Sequence, residues 1–248
     1  MNWKLLVILS SLVIYGSLEN LFPFFQFKQP FLHRVRINLA LGLLNTGLTS
    51  LIVVVGLSWI WQQTTWQGYL LALPWPWLRF VISFLLLDAY MYAWHRLMHN
   101  SRWGWRLHQV HHSDRAMNTS TAYRFHAIEV LLSNLPKLLL IWLFGIAPTH
   151  LLIYEIFFAA ELIFHHSNWA LPRQFDQALS YVIVTPNYHR AHHARLLMGM
   201  RSNYASLLTV WDLLFRSARY PAVPEAIKLG ISGVSQEFTL LQLLRLPF

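Results

Sequence analysis

The sequence contains no cysteine, and only 12% of its 248 residues are charged. Without thiols the chain can form no disulfide, no thiolate metal site and no cysteine nucleophile. A typical soluble domain is about 25% charged. A chain in which 56% of the residues are apolar has too few charged residues to cover a water-facing surface. The composition therefore indicates a protein that lies in a lipid bilayer.

Several stretches are apolar enough to form membrane-spanning helices, which need about 20 apolar residues. The first could be a signal peptide, but no small-residue cleavage motif follows it, so we expect a retained span. Pro74 and Pro76 place the start of the third helix near Trp77, and Ala147–Pro148 predicts a tight hairpin. The stretches cover residues 5–25, 37–61, 69–94, 127–146 and 149–164.

The net charge is +9, and 14 of the 19 Lys and Arg residues lie in three loops, at 26–36, 95–126 and 165–219. The loops at 62–68 and 147–148 carry no Lys or Arg. Five crossings would place every basic loop in the cytoplasm, as the positive-inside rule requires. Long apolar runs interrupt the basic residues, so nucleic-acid binding is not expected.

These patterns predict an all-α fold, an integral membrane helical bundle of four to five transmembrane helices with a cytosolic helical cap. We expect one domain overall, with a catalytic region at about 84–220. Its predicted parts are three transmembrane helices in 1–94, a cytosolic segment at 95–126, a transmembrane hairpin at 127–164 and a second cytosolic segment at 165–248.

Histidine is unusually frequent, with 13 copies, and all except His33 lie between His95 and His193. Residues three or four apart share one helix face, so each group can direct imidazoles at one metal. Adjacent histidines point about 100° apart and can address two different metals. The groups are His95-x3-His99, His108-x2-His111-His112, His165-His166 and His189-x2-His192-His193.

The number of histidines indicates two metal ions, because a zinc hydrolase needs only about three protein ligands. Neutral imidazole suits iron, zinc, copper and nickel. Two redox metals could activate O₂ and oxidise an unactivated C–H bond of a lipid-like substrate. The alternatives are a metal transporter, whose ligands should lie within spans near the midplane, and a metal-binding protein or scaffold without oxidase chemistry.

The histidine groups and their surroundings resemble the fatty acid hydroxylase/sterol desaturase superfamily from about Asp88 to Phe215. Three departures concern residues that are not ligands: Ala127, Ala205 and Arg216-Ser217 stand where the family usually has Pro, Gly and Gly-Thr. The matching segments are Asp88-x3-Tyr92-x2-His95-Arg96-x2-His99, His108-x2-His111-His112, Thr121-Ala-Tyr-Arg124-Phe-His126, His166-Ser-Asn168, Thr185-Pro-Asn-Tyr-His189-Arg-x-His192-His193, Ser202-Asn-Tyr204 and Trp211-Asp212-x-Leu-Phe215.

The resemblance implies a di-iron site on a cytosolic cap, with O₂ as co-substrate and a separate electron-donor protein. Either His165 or His166 could be the ligand of the third box, and the motif favours His166. The implied ligands are His95, His99, His108, His111, His112, His166, His189, His192 and His193.

Acidic residues near these groups are candidates for supporting or catalytic roles. Asp88 lies seven residues before His95, so it could orient a ligand histidine, or pair with Arg79 or another interfacial cation. Glu161, four residues before His165, could be a ligand, a partner of a ligand or an interfacial carboxylate, and Glu129 is a similar but weaker candidate.

Three histidines and one arginine complete the set of candidates. His126 could be a ligand or a buried hydrogen-bonding residue. Arg124 could stabilise the cap or face anionic lipid. His33 and His150 are not expected to bind metal.

Overall fold

The computed structural model describes residues 3–28, 30–63, 65–195, 201–234 and 236–248. Throughout these ranges the regular structure is helical, and strand pairing is limited to isolated bridges. Shorter helices lie at Arg173–Leu179, Pro186–His192, Val210–Leu214 and Leu240–Arg245. The six long helices are α1 (Trp3–Leu21), α2 (Phe31–Trp61), α3 (Pro76–Asn100), α4 (Arg102–His112), α5 (Ala127–Phe144) and α6 (Pro148–His166).

Four of these helices, α1, α2, α3 and α5, are long and apolar enough to cross a membrane. Large apolar side chains such as Leu43 and Leu51 are more than two-thirds exposed on α2, as expected for a lipid-facing surface. The all-α membrane bundle is therefore confirmed. The fifth predicted crossing, α6, is not among the four spans, although its 19 residues extend about 28 Å beside α1.

A tight turn joins α5 to α6 at the end of the bundle that lies away from the histidines. Gly145 ends α5 in the left-handed conformation, with a φ of 66°, and packs against Gly68. A Cβ on Gly145 would lie 2.0 Å from the carbonyl oxygen of Gln67. Only glycine fits this approach, so the predicted hairpin depends on Gly145 as well as on Pro148.

At the other end of the bundle, one residue separates α3 from α4. Ser101 follows α3, and its Oγ accepts a hydrogen bond of 3.0 Å from the Gly104 amide at the start of α4. Ser and Thr at this position supply a partner for the free amides of a helix start. Because the chain reverses so sharply, the last two turns of α3 pack against α4.

Buried polar contacts attach the cap to the bundle. Arg124 donates to Asn38 Oδ1 at 2.8 Å and to Ser113 Oγ at 2.9 Å. Glu19 of α1 accepts from the amides of Thr119 and Asn168 at 3.0 and 2.8 Å. Arg124 thus stabilises the cap, and lipid contact is excluded by its 6% exposure.

Candidate metal centre

The structure brings nine histidines together at the cap end of the bundle. In each of two groups, the potential ligand atoms all lie within 4.8 Å of one another, and every member is buried. Nine of the ten histidines that the sequence predicted as ligands belong to a group. One group contains His95, His99, His108, His112 and His192, and the other contains His111, His166, His189 and His193.

Neighbouring histidines of α4 belong to different groups. His111 lies 3.1 Å from His166, measured between their Nε2 atoms, whereas His112 belongs to the five-histidine group. This arrangement follows from the 100° between successive helix positions. The short helix Pro186–His192 and the residue after it distribute His192 and His193 in the same way.

Hydrogen bonds donated by Nδ1–H orient five of the nine rings. Because a carbonyl or carboxylate oxygen accepts a hydrogen bond from Nδ1–H, the lone pair is on Nε2, which faces the centre of the group. The contacts are His95 to Tyr204 O (2.8 Å), His192 to Ser202 O (2.7 Å), His108 to Glu129 Oε1 (2.7 Å), His111 to Arg124 O (3.3 Å) and His166 to Leu162 O (2.7 Å).

The burial and spacing of the Nε2 atoms suit the binding of metal ions. Within the described ranges, those of all five histidines in the larger group are buried without a hydrogen-bond partner. In the smaller group, the Nε2 atoms of His166, His189 and His193 form a chain with separations of 3.1 Å. Adjacent ligands of an ion bound at about 2.1 Å lie about 3.0–3.4 Å apart. An all-imidazole set suits first-row metals such as iron, copper or zinc.

Burial also favours the neutral form of several of these imidazoles. Burial, together with the neighbouring imidazoles, holds the pKa values of His112, His189 and His193 well below their usual range. The pKa of His192 is lowered to about 3, again mainly by burial. Neutral rings at physiological pH can donate their lone pairs to a metal without first losing a proton.

Asp88 does not make either of its expected contacts. It accepts hydrogen bonds from Trp211 Nε1 (2.7 Å), the Leu208 amide (3.2 Å) and Tyr154 Oη (3.4 Å). Neither a histidine nor Arg79 is among its partners in the described residues. The expectation that Asp88 orients a ligand histidine or pairs with Arg79 is therefore corrected. Asp88 instead links α3 to Tyr154 of α6 and to the segment that contains Leu208 and Trp211. A catalytic role for it remains a prediction.

Glu129 makes the contact that was expected of Asp88. Its Oε1 lies 2.7 Å from His108 Nδ1, and the two residues are 3% and 2% exposed. The weaker candidate in sequence thus becomes the carboxylate partner of a potential ligand. It belongs to the first turn of α5, and only the packing of α5 on α4 brings it to His108.

Glu161 and His165 form a buried pair beside the smaller group. Glu161 Oε1 lies 3.7 Å from His165 Nδ1, which is too long for a hydrogen bond. The ring of His165 lies 4.2 Å from that of His189, yet His165 belongs to neither ligand group. The structure thus favours His166 over His165, and a catalytic role for Glu161 remains a prediction.

The remaining histidines have other positions. His126 precedes α5, where its Nδ1 accepts from the Ile128 amide and its Nε2 lies 3.2 Å from Leu244 O. It is therefore the buried hydrogen-bonding residue of the two alternatives. His150 contacts Ser83 Oγ at 3.1 Å, and His33 is exposed.

Asp212 is a supporting residue that sequence reasoning noted only as part of a motif. Its carboxylate accepts from the amides of Tyr204 and Ala205, both at 2.9 Å, and from Ser217 Oγ at 2.7 Å. The carbonyl of Tyr204 in turn contacts His95 Nδ1. Asp212 thus holds the segment that orients a potential ligand, a connection that crosses more than 100 residues of sequence.

A cavity of about 370 Å³ leads from the centre into the bundle. His95, His108 and His111 lie on its wall, and its lining is mainly apolar. Helices α2, α3, α5 and α6 contribute most of the other lining residues, including Met91, Phe158 and Leu162. A cavity of this size could hold an apolar ligand next to the histidines.

Fold and site together define a membrane protein with a buried histidine centre suited to metal binding. The fatty acid hydroxylase family model matches residues 80–217, more than half of the chain. The chain therefore belongs to the fatty acid hydroxylase family, as the histidine motifs indicated. No solved structure matches the chain.

Three relatives illustrate the family. Alkylglycerol monooxygenase of Homo sapiens is 31% identical over 174 residues, 67% of this chain and 36% of that protein. Ornithine lipid hydroxylase OlsE of Rhizobium tropici is 26% identical over 99% of this chain and 76% of that protein. Methylsterol monooxygenase 1-1 of Arabidopsis thaliana is 31% identical over 144 residues, 55% of this chain and 45% of that protein.

The chain spans only about a third of the length of the human alkylglycerol monooxygenase. The relatives thus establish the family of this chain, and its own substrate and reaction are a matter for proposal.

Proposed function

We propose that this chain is a membrane-bound di-iron oxygenase that uses O₂ and external electrons to hydroxylate or desaturate a C–H bond of a lipid-like substrate. The observation that carries the proposal is the pair of buried histidine groups at the end of an apolar cavity within a membrane bundle. The names of the relatives support a lipid substrate, since they refer to alkylglycerol, ornithine lipid and methylsterol.

The two histidine groups would each hold one iron ion through their Nε2 atoms. The bound iron pair would supply the redox chemistry that O₂ activation and C–H oxidation require. Burial favours the neutral form of imidazoles such as those of His112 and His189, and hydrogen bonds from Nδ1 hold His95, His108 and His192 in place. The mainly apolar cavity wall would align one carbon of the substrate with the centre. Hydroxylation or desaturation would then depend on small differences in that placement.

A transport function fits the positions of the histidines less well. Transporter sites lie near the bilayer midplane, between discontinuous helices. Here His95 and His99 occupy the last turns of an uninterrupted helix, and His166 ends another. The basic loops beside the centre support a cytoplasmic location for it, where a separate electron-donor protein could reach it.

Isotope labelling tests the proposal. Membranes that contain the iron-loaded protein and a reducing system are supplied with isotopically labelled O₂, and their lipids are analysed by mass spectrometry. We expect a labelled or newly desaturated lipid with the unaltered chain and with His150→Ala, whose histidine lies outside the centre. His99→Ala should form neither product. Unchanged lipids in the presence of iron-loaded, reduced protein would contradict the proposal.

A further inference from the structure

Three charged side chains meet inside the bundle, away from the histidines. Lys4 of α1 and Lys137 of α5 both donate to Glu155 of α6, and the Lys137 Nζ to Glu155 Oε1 distance is 3.1 Å. We call these residues the charged triad. All three line the same cavity that His111 and His165 line at its other end.

Glu155 and Lys137 lie near the middle of α6 and α5, and Lys4 lies in the first turn of α1. Glu155 precedes His165 by ten residues on α6, and Lys137 follows Ala127 by ten residues on α5. Ten residues of helix extend about 15 Å, half of a hydrocarbon core about 30 Å thick. Charged groups at such a depth are costly, are usually paired, and mark functional sites such as substrate or ion paths.

The charges of the triad do not balance. Two ammonium groups face one carboxylate, which leaves one excess positive charge. An ammonium group has three N–H donors, and in the described part of the chain each lysine donates to Glu155 alone. The side chains remain open to a ligand, with exposures of 38% for Lys4 and 19% for Lys137.

We propose that the charged triad binds the carboxylate head of a long-chain amphiphilic substrate, whose chain fills the cavity toward the histidines. A single excess positive charge matches a single carboxylate. Met91, Phe158 and Leu162 provide apolar walls for the chain. The separation of about 15 Å between the triad and the histidines would then select the carbon that is oxidised. This inference rests on the proposed function, because it names the class of substrate of the same site.

Direct binding measurements test this assignment without requiring turnover. Metal-loaded protein in nonionic detergent is equilibrated with radiolabelled palmitate or methyl palmitate at alkaline pH, where palmitate is ionised and its methyl ester is neutral. We expect the protein to bind palmitate about tenfold more tightly, as for a hydrogen bond to a charged group. Lys137→Met should abolish this preference, whereas Lys137→Arg and the exposed control Lys228→Met should retain it.

Glu155→Gln should change palmitate binding in the opposite direction from the lysine substitutions. It removes the carboxylate that competes for both lysines, so palmitate should bind more tightly than to the unaltered protein. Thermal unfolding of each variant verifies folding, and Lys4→Met replaces Lys137→Met if the latter does not fold. Equal binding of both probes to the unaltered protein, or a preference that survives the lysine substitutions, would overturn the inference. Normal palmitate binding without any oxidised product would instead contradict the proposed oxygenase.

Discussion

Replacement of Glu129 by Gln should weaken metal binding in the five-histidine group. Glu129 Oε1 lies 2.7 Å from His108 Nδ1, and both residues are buried. Gln retains an acceptor but loses the negative charge that makes His108 a stronger ligand. A buried hydrogen bond to a charged group contributes about 1.5–3 kcal/mol, which corresponds to roughly 10–100-fold in affinity. Carboxylate partners of metal-bound histidines show losses of about this size.

The assay is the rate at which a chelator removes metal from the purified protein, together with the metal content per chain. We expect Glu129→Gln to release one of its two metals at least about tenfold faster, and the other at the normal rate. The matched control is Glu161→Gln, because Glu161 lies 3.7 Å from His165, which belongs to neither group. Normal release from Glu129→Gln, or equal losses in both variants, would refute the reasoning.

Three further predictions concern other parts of the centre. His166→Ala should lower the metal content to about one ion per chain, whereas His165→Ala should retain both ions; equal losses would contradict the grouping. Asp88→Asn should lower the unfolding free energy by about 1–3 kcal/mol with normal metal content, because Asn loses the negative charge and has one oxygen in place of the two that accept from Trp211, Leu208 and Tyr154; thermal unfolding and metal analysis measure this. Metal-free protein should lose stability as the pH falls below about 6.5, the pKa of histidine in the unfolded chain. Burial keeps the folded-state pKa values of residues such as His112 far lower, so below that pH the unfolded chain binds more protons. Constant stability down to pH about 5 would contradict this.

Local patterns in the sequence were sufficient to predict the helices, the membrane environment and the histidine groups. Apolar runs of a given length form helices in a bilayer because lipid offers no partner for the backbone. Spacings of three and four residues place histidines on one helix face, and that rule depends only on helix geometry. The assignment of His111 and His112 to different groups follows from the 100° between successive helix positions.

The partners of the histidines depend on tertiary packing. The sequence favoured Asp88 over Glu129 because Asp88 lies seven residues before His95 on one helix. Packing of α5 against α4 instead brings Glu129 to His108. Asp88 accepts a hydrogen bond from the Leu208 amide, in the segment after Tyr204. Contacts between helices depend on where each helix ends and how it crosses its neighbour, and neither is encoded in a single segment.

The sequence by itself therefore determined that this protein is a helical membrane protein rich in potential imidazole ligands, because those properties depend on composition and on spacing along single helices. Only the tertiary structure decided how nine histidines divide into two groups, that Glu129 contacts one of them, and that Lys4, Lys137 and Glu155 meet within one cavity. The physical reason is that these side chains come from helices far apart in the chain, and their distances exist only after the helices have packed together.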